Sequence, residues 1–486
     1  MSRFNPGIRT VSCAAAFLCS PIITSLAIAQ CEMQKMVAPV QGERFGNHMA
    51  ISGDTLVVGE RVENVILTPW ETGRVYVYRL GMDQGVESWQ LDTTIPSPIP
   101  PSPDRSVLFG NALDIDSDWM IVGDVSDDDA CPGDPLCFSG AAYIYQRDAI
   151  DPTTWNQITK LKAPDAAGDD EFGGAVAIEG DLAFIGSRAH DHGSENSGAV
   201  YVYQRDVGGP SNWGFVAEIR AFDSNIQDLF GFILDVDGDT LVVGSKDTED
   251  QFGFTSFGTA YVFQRNHGGA DQWGFVKKLS ASDRYLGQNF ASGGVSISGD
   301  TIAIGSRSDV LTCEGAGTNC GSVYLFERNA GGPDQWEETN KIISSDVRDG
   351  DVFGTVALSG DILLIGAVGV DHAICVSDPS PLGDCIAGAA YLFRRNAGGQ
   401  DNWGEVAKWH VEDAETNHFF GNSVLLDGTQ AFVSAPNDRT GAGAIYSFDA
   451  DACDCAADGN HDRFVDVEDL LDLLGNWGLC QSPCVS

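Results

Sequence analysis

FGGAVAIEGDLAFIGSRAHDHGSENSGAVYVYQRDVGGPSNWGFVAEI, residues 172–219, spells out one complete structural unit. Phe172-Gly173 opens a short apolar run, Gly180-Asp181 turns it, and LAFIG from Leu182 returns, which is the signature of a hairpin. GAVYVY from Gly198 then alternates in the period of two expected of a half-buried strand. A fourth extended run follows Trp213. The unit therefore reads as a four-stranded antiparallel sheet.

The same unit recurs along the chain. Phe-Gly stands at Phe45, Phe109, Phe172, Phe230, Phe353 and Phe420, with Phe290-Ala291 as a degenerate seventh copy, at intervals of 58 to 67 residues. Turns follow at Gly53-Asp54, Ser117-Asp118, Gly180-Asp181, Gly238-Asp239, Gly299-Asp300, Gly360-Asp361 and Asp427-Gly428. Third strands begin at Gly73, Gly140, Gly198, Gly258, Gly321, Gly388 and Gly443, each carrying a tyrosine three residues on. Fourth strands follow Trp89, Trp155, Trp213, Trp273, Trp336 and Trp403, so six serve seven units. MQKMVAP from Met33 matches FVKKLSA of the internal copies and supplies the missing strand, which predicts that the N-terminal segment closes the last sheet. A ring closed in this way hides its sheet edges by radial repetition, whereas a linear stack would need capping repeats. The expected fold is all-β, a seven-bladed β-propeller over residues 30–452.

The Phe-Gly start, the Gly-Asp hairpin and the Gly-x-x-Tyr strand resemble FG-GAP repeats, the units of the integrin α-subunit propeller and of many exported bacterial proteins. The resemblance covers about residues 31–449. Family members that hold calcium within their blades carry Asp-x-Asp-x-Asp-Gly loops; the turns here contain only Gly-Asp, so the resemblance does not imply calcium in the blades.

Chain direction puts the second-to-third connections and the connections between blades on one face. Length variation concentrates there, from the short Ser434–Gly443 to the long Gly366–Gly388. Cys131 with Cys137, Cys313 with Cys320, and Cys375 with Cys385 fall in the same loop of three different blades. They are expected to form disulfides, which either rigidify recognition loops or protect long polar loops from unfolding and proteolysis. Asp165, Asp223, Asp283, Asp346 and Asp413 each stand seven residues before their phenylalanine. This recurrence suggests an Asx-turn role or, as the other reading, a rim for cations or basic partners. Asp124, Asp127, Asp128 and Asp129 add to the negative charge of the same face.

Composition agrees with an exported all-β chain. Fifty-seven glycines suit many tight turns. Arg3 and Arg9 precede an apolar run from Val11 that ends in Ala27-Ile28-Ala29, so residues 1–29 read as a signal peptide cleaved after Ala29. No later segment is apolar enough to span a bilayer, and the protein is expected to be secreted, extracellular, at the cell surface or periplasmic. Net charge is −42 at pH 7 and grows more negative once the two arginines leave with the signal. Nucleic acid and anionic lipid are excluded as partners on that ground. Divalent cations and basic partners would be attracted, although acidity also serves solubility in saline surroundings.

The tail, residues 453–486, changes character. In DGNHDRFVDVEDLLDLLGNWGLC, Asp458, Asn460, Asp462, Asp466 and Asp469 take positions 1, 3, 5, 9 and 12 of a calcium loop, with the Phe464 carbonyl at position 7. Val467–Leu474 would continue as an amphipathic helix. The segment resembles a single dockerin-type half-repeat, and Ca²⁺ is the expected cofactor. Arg463 occupies the place where such loops turn on glycine, which is the feature that speaks for an acidic helix cap instead. Cys31 begins the borrowed strand while Cys453 and Cys455 follow its neighbour, which predicts a disulfide from Cys31 to Cys453 or Cys455; Cys480 and Cys484 leave the count odd.

No Gly-x-Ser-x-Gly or His-Glu-x-x-His occurs, and no catalytic residues are assigned. His190 and His192 flank Asp191, but the sequence shows no third metal ligand beside them, and they read as solvated loop residues. The resulting expectation is a non-catalytic binding or adhesion module whose partner is an extracellular protein or glycan. Its rivals are a polysaccharide hydrolase or lyase with dispersed carboxylates, and a structural component of the cell envelope.

Overall fold

The computed structural model describes residues 32–39, 44–60, 72–83, 85–100, 107–131, 134, 137–246, 257–311, 319–371, 386–411, 413, 417–438 and 442–451. Twenty-eight strands among them form seven four-stranded antiparallel sheets. Six sheets use four consecutive strands; blade 3, for example, is Phe172–Glu179, Leu182–Ser187, Ala199–Arg205 and Trp213–Ile219 in that order. The seventh is completed from the other end of the chain. Glu32–Val37 lies antiparallel to Ala444–Asp449, with Lys35 opposite Tyr446 and Val37 opposite Ala444, as the displaced strand requires. Among the described residues no helix is long and apolar enough to cross a membrane.

The local reasons are those read in the sequence. Each first hairpin closes through two residues, and the first of them has positive φ: +59° at Gly53 and Gly180, +57° at Gly238, +58° at Gly299. A positive φ at that place fits the right-handed twist of the strands, and glycine adopts it without strain. Ser117 accepts the same conformation in blade 2. In the last blade Gly428 and Thr429 form the loop, one residue beyond the Asp427-Gly428 expected, because Asp427 still pairs with Gln430.

Second strands such as Leu182–Ser187 are buried at every residue, because each sheet is covered on both faces by its neighbours. Fourth strands lie at the outer rim, with buried ends such as Trp213 and Ile219 flanking half-buried and exposed residues. Each core is shared between two adjacent blades: Trp119, Ile121 and Ile144 pack with Phe172, Ile185 and Tyr201. The ring closes in the same manner, Met36 and Ile445 of blade 7 packing against Phe45, Val58 and Tyr76 of blade 1. In every blade the opening phenylalanine meets the third-strand tyrosine edge-on or tilted, at centroid distances of 5.3 Å for Phe45–Tyr76, 5.5 Å for Phe172–Tyr201 and 5.4 Å for Phe353–Tyr391. Such contacts contribute about 0.5–1.5 kcal/mol each beyond the area they bury.

The glycine before that tyrosine has a different task. A Cβ at Gly198 would lie 2.1 Å from the Phe230 carbonyl oxygen of the next blade, and one at Gly140 would lie 2.0 Å from that of Phe172. Only a residue without a side chain lets the two blades touch there, and a parallel bridge joins Gly198 to Phe230.

Candidate functional site

The face that carries the long connections is assembled from pairs of loops. In blades 1 to 6 the second-to-third connection hydrogen-bonds to the stretch of chain entering the next blade: Phe230 N donates to Ser197 O at 3.0 Å, Phe353 N to Cys320 O at 3.0 Å, and Phe420 N to Ala387 O at 2.9 Å. Cys131 and Cys137 form a disulfide within this layer, with Cα atoms 5.8 Å apart. The Cys137 carbonyl accepts from Asp169 N of the chain entering blade 3. Cys320 is also disulfide-bonded. Cys313, Cys375, Cys385, Cys31 and Cys453 lie outside the described residues, as do the calcium-loop candidates Asp458, Asn460, Asp462, Phe464, Asp466 and Asp469 and the signal segment.

The five recurring aspartates share one arrangement. Each accepts a hydrogen bond from the third-strand tyrosine hydroxyl of the blade it enters: Tyr201 to Asp165 at 2.8 Å, Tyr261 to Asp223 at 2.9 Å, Tyr324 to Asp283 at 2.7 Å, Tyr391 to Asp346 at 2.9 Å and Tyr446 to Asp413 at 3.1 Å. In four of these blades a fourth-strand lysine completes the group. Lys278 lies 2.9 Å from Asp223, Lys341 2.5 Å from Asp283, Lys408 2.6 Å from Asp346, and Lys35 2.7 Å from Asp413. The ammonium also sits over the tyrosine ring, 5.0 to 5.2 Å from its centroid. These carboxylates therefore fasten each incoming connection to the sheet beneath it. The turn role expected of them falls to residues five positions further on: Asp170 accepts from Ala167 N and Asp351 from Arg348 N, each at 2.7 Å.

A second acid joins the lysine in some blades. Lys341 is 2.7 Å from the buried Asp309, and Lys35 is 2.7 Å from the buried Asp438. Burial would raise the Asp309 carboxyl, but the Lys341 ammonium and the Ser322 hydroxyl hold it below its ordinary value. Blade 2 follows the same plan, with Tyr143 donating to the buried Asp127 at 3.2 Å and Lys160 lying 2.6 Å from it. Lys160 and Lys162 also reach Asp129, at 2.7 and 3.1 Å, and lower its affinity for a proton. Asp124 is buried and accepts from the Ser126 amide at 3.0 Å, and the Asp128 carbonyl accepts from Cys131 N at 3.0 Å. His418, which has no partner visible in the sequence, lies 3.5 Å from Asp438.

Blade 3 departs from this plan at two places. Glu218 occupies the lysine position opposite Tyr201, and His190 occupies the loop position held by Asp127, Asp309 and Asp438 elsewhere. His190 is not the solvated residue expected from sequence: it is 5% exposed, while His192 is exposed. The loop around it is ordered by its own hydrogen bonds, Gly198 N donating to His190 O at 3.0 Å and Asn196 N to the Asp191 carboxylate at 2.7 Å. Its ring meets Tyr201 edge-on, at 5.9 Å between centroids. Nδ1 lies 3.3 Å from the buried Asp170 and Nε2 lies 3.6 Å from Asp165. Asp170 above all, with Asp165 and Glu218 adding to it, raises the imidazole pKa against the effect of burial.

Sequence reasoning found the recurring aspartates but missed the tyrosines and lysines that hold them. The signal was present, since each lysine sits at a constant place in its fourth strand; what linear inspection lacked was the register that puts it opposite the tyrosine.

The FG-GAP repeat family matches residues 155–203, 213–263, 273–326, 336–393 and 403–448, which together make up more than half of the chain. Each matched segment begins at a fourth strand and ends with the third strand of the next blade, so it contains one complete junction between blades. No curated protein shows significant similarity to the chain. With its Phe-Gly starts, its Gly-x-x-Tyr strands and this match in place, the chain belongs to the FG-GAP repeat family.

Proposed function

We propose that the protein is an exported, non-catalytic binding module that takes an extracellular protein or glycan on the face carrying the long connections. The observation that carries this reading is the asymmetry of the ring. One face carries the two-residue first hairpin turns and third-to-fourth connections of nearly constant length, such as 206–212, 266–272 and 396–402; the other carries loops of differing length, tied to one another and to the blades by repeated hydrogen bonds and at least one disulfide. Varied loops on a rigid frame are how binding surfaces are ordinarily built, because the frame meets the ordering cost before the partner arrives. FG-GAP propellers as a class are extracellular interaction modules, and the family membership favours the same reading.

The non-catalytic part of the proposal draws on the state of the acids. Asp223, Asp283, Asp346 and Asp413 are each held by a tyrosine hydroxyl and a lysine. A carboxylate so paired is held in place and already engaged, whereas hydrolysis of a glycosidic bond needs one acid free to pass a proton to the leaving group and a second that faces it across the substrate. Calcium in the loop from Asp458 to Asp469 is part of the same proposal, as a separate site on the tail.

The test is a glycan array and a pull-down from extracellular protein fractions, each run with and without chelator, together with a screen for product release from polysaccharides. Saturable binding without turnover supports the module. Release of oligosaccharides would overturn it in favour of the hydrolase or lyase, and the absence of both binding and turnover would overturn it in favour of an envelope component.

A further inference from the structure

We propose that Asp165, His190 and Glu218 of blade 3 bind a divalent transition-metal cation of the zinc class, with Asp170 orienting the imidazole. One ligand atom from each of the three residues lies within 4.8 Å of the others, on the face that carries the long connections. Asp165, His190 and Glu218 come from the chain entering the blade, the second-to-third connection and the fourth strand respectively, so only the folded blade brings them together.

The other blades act as an internal control. Where Tyr201 faces Glu218, the tyrosines of blades 2, 4, 5, 6 and 7 face Lys160, Lys278, Lys341, Lys408 and Lys35. Every one of those groups has a fixed ammonium beside its aspartate. In blade 3 the ammonium is replaced by a carboxylate, so two acids converge where the fold elsewhere provides a positive charge. Arg220 reaches one oxygen of Glu218, but among the described residues no lysine bridges Glu218 and Asp165. Blade 1 has Thr94 at the lysine position and Arg74 beside its buried Glu60, so blade 3 alone places a carboxylate there, and the third group at the space is a nitrogen ligand.

The imidazole has the features of a metal ligand. It is nearly fully buried, and the Asp170 carboxylate lies 3.3 Å from its Nδ1. A carboxylate behind Nδ1 fixes the tautomer that leaves the Nε2 lone pair free, and Nε2 is the atom that faces Asp165 at 3.6 Å. Ligand atoms bound at about 2.0–2.2 Å in a tetrahedral site stand roughly 3.3–3.6 Å apart, so this pair needs little or no closure. Asp170 is itself held by the Ala167 amide at 2.7 Å, and the loop that carries His190 is fixed by its own hydrogen bonds.

The donor set selects the ion. An imidazole nitrogen with two carboxylates suits Zn²⁺ and its first-row neighbours, whereas Ca²⁺ and Mg²⁺ favour oxygen ligands throughout. Three protein ligands leave a fourth position open, and Asp165 is about half exposed, so the ion can enter from solvent and keep a water or accept an acidic group from a bound partner. By contrast, in the group of Asp127, Asp128 and Asp129 the Lys160 ammonium already lies against Asp127 and Asp129, and the group carries no such implication.

The test is zinc binding by the full chain, measured by equilibrium dialysis with elemental analysis and by thermal melts, for the wild type and Glu218→Lys. The substitution installs the residue that five other blades carry, so the fold should survive it. We expect the wild type to bind one more equivalent of Zn²⁺ than Glu218→Lys and to gain melting temperature on zinc addition, while the variant does not. Any zinc taken up by the C-terminal tail is common to both proteins and cancels. Asp170→Asn should keep the site but weaken it about 10- to 100-fold. Should Glu218→Lys fail to fold, His190→Gln gives the same comparison. Equal zinc stoichiometry in the wild type and a folded variant would overturn the proposal. So would His190 imidazole resonances whose pH titration is the same with and without zinc, since a protonated His190 would then be the cation that stands in for lysine.

Discussion

Tyr201 faces Glu218 across the outer hairpin of blade 3, whereas the tyrosine at the same place in five other blades faces a lysine. The contrast shows how little the frame of the blade constrains the charge it holds. Strand register, the phenylalanine–tyrosine contact and the aspartate from the incoming connection are all kept in blade 3, while the charge next to the aspartate is reversed.

Lysine at this position should be a stabilising element where a second, buried acid depends on it. Lys341 lies between Asp283 and Asp309, and Asp309 is fully buried. Lys341→Met should cost about 2–4 kcal/mol, toward the lower end because part of the lysine is exposed, since it leaves buried carboxylate charge uncompensated. Urea unfolding of the two proteins measures this; Lys408→Met, whose blade has Val370 in place of the second acid, should cost clearly less.

The junction between blades should not tolerate a side chain at the third-strand glycine. Gly198 has φ of +82°, and an added Cβ would meet the Phe230 carbonyl oxygen at 2.1 Å. Gly198→Ala should lower stability by at least about 1 kcal/mol from backbone conformation alone, with the clash adding to it. Gly180→Ala, at φ of +59° but with nothing within 4 Å of the added carbon, isolates the conformational part. A thermal melt in which Gly198→Ala costs no more than Gly180→Ala would contradict the contact.

Closure of the ring should be as tight as any internal junction. Met36 is 4% exposed and packs with Phe45, Tyr76 and Ile445. Met36→Ala should cost about 2–4 kcal/mol, the range for a large side chain removed from a packed core. Loss of only a few tenths, read by chemical denaturation, would mean that the N-terminal strand is a detachable strap.

Stability should pass through a maximum in mildly acid solution. Burial pushes the inner-strand Asp114 and Asp235 up to about 7, although each accepts backbone N–H groups, at 2.8 Å from Ile178 to Asp114 and from Ile297 to Asp235. The folded state thus binds more protons than the unfolded one between the ordinary carboxylate value of 3.8 and about 7, and stability falls as pH rises through that window. Asp283, Asp309 and Asp346, for all their burial, are held by lysines below 3.8, so their contribution is complete above that value and is lost as pH falls below it. Melting temperatures at constant ionic strength should decline from pH 5 to pH 8, and the double substitution Asp114→Asn with Asp235→Asn should flatten that slope.

Much of this was legible in one dimension. Phe172, Gly180, Gly198 and Tyr201 are local signals: a strand start, a turn that needs positive φ, and an alternating strand carry their meaning within a few residues. Even the displaced strand could be placed, because MQKMVAP matches internal copies of itself and the units lacked one such strand. The role of Asp165 and its equivalents could not be read in this way. An aspartate before a strand is equally a turn former or a surface charge until its distant neighbours are known, and Tyr201 lies 36 residues away from Asp165, Lys341 58 residues away from Asp283.

Repetition alone therefore determined the ring, its seven blades and the face on which the irregular loops gather, because a repeated local pattern has few ways to cover its own edges. The tertiary structure decided which charges meet. It buried His190 that the sequence left in solvent, set Asp170 behind it and Glu218 before it, and gave every other tyrosine–aspartate pair with a lysine partner its neutralising charge. Hydrogen bonds and direct ion pairs need contact distances of about 3–4 Å, and such distances exist only after strand register and loop path have brought remote segments together.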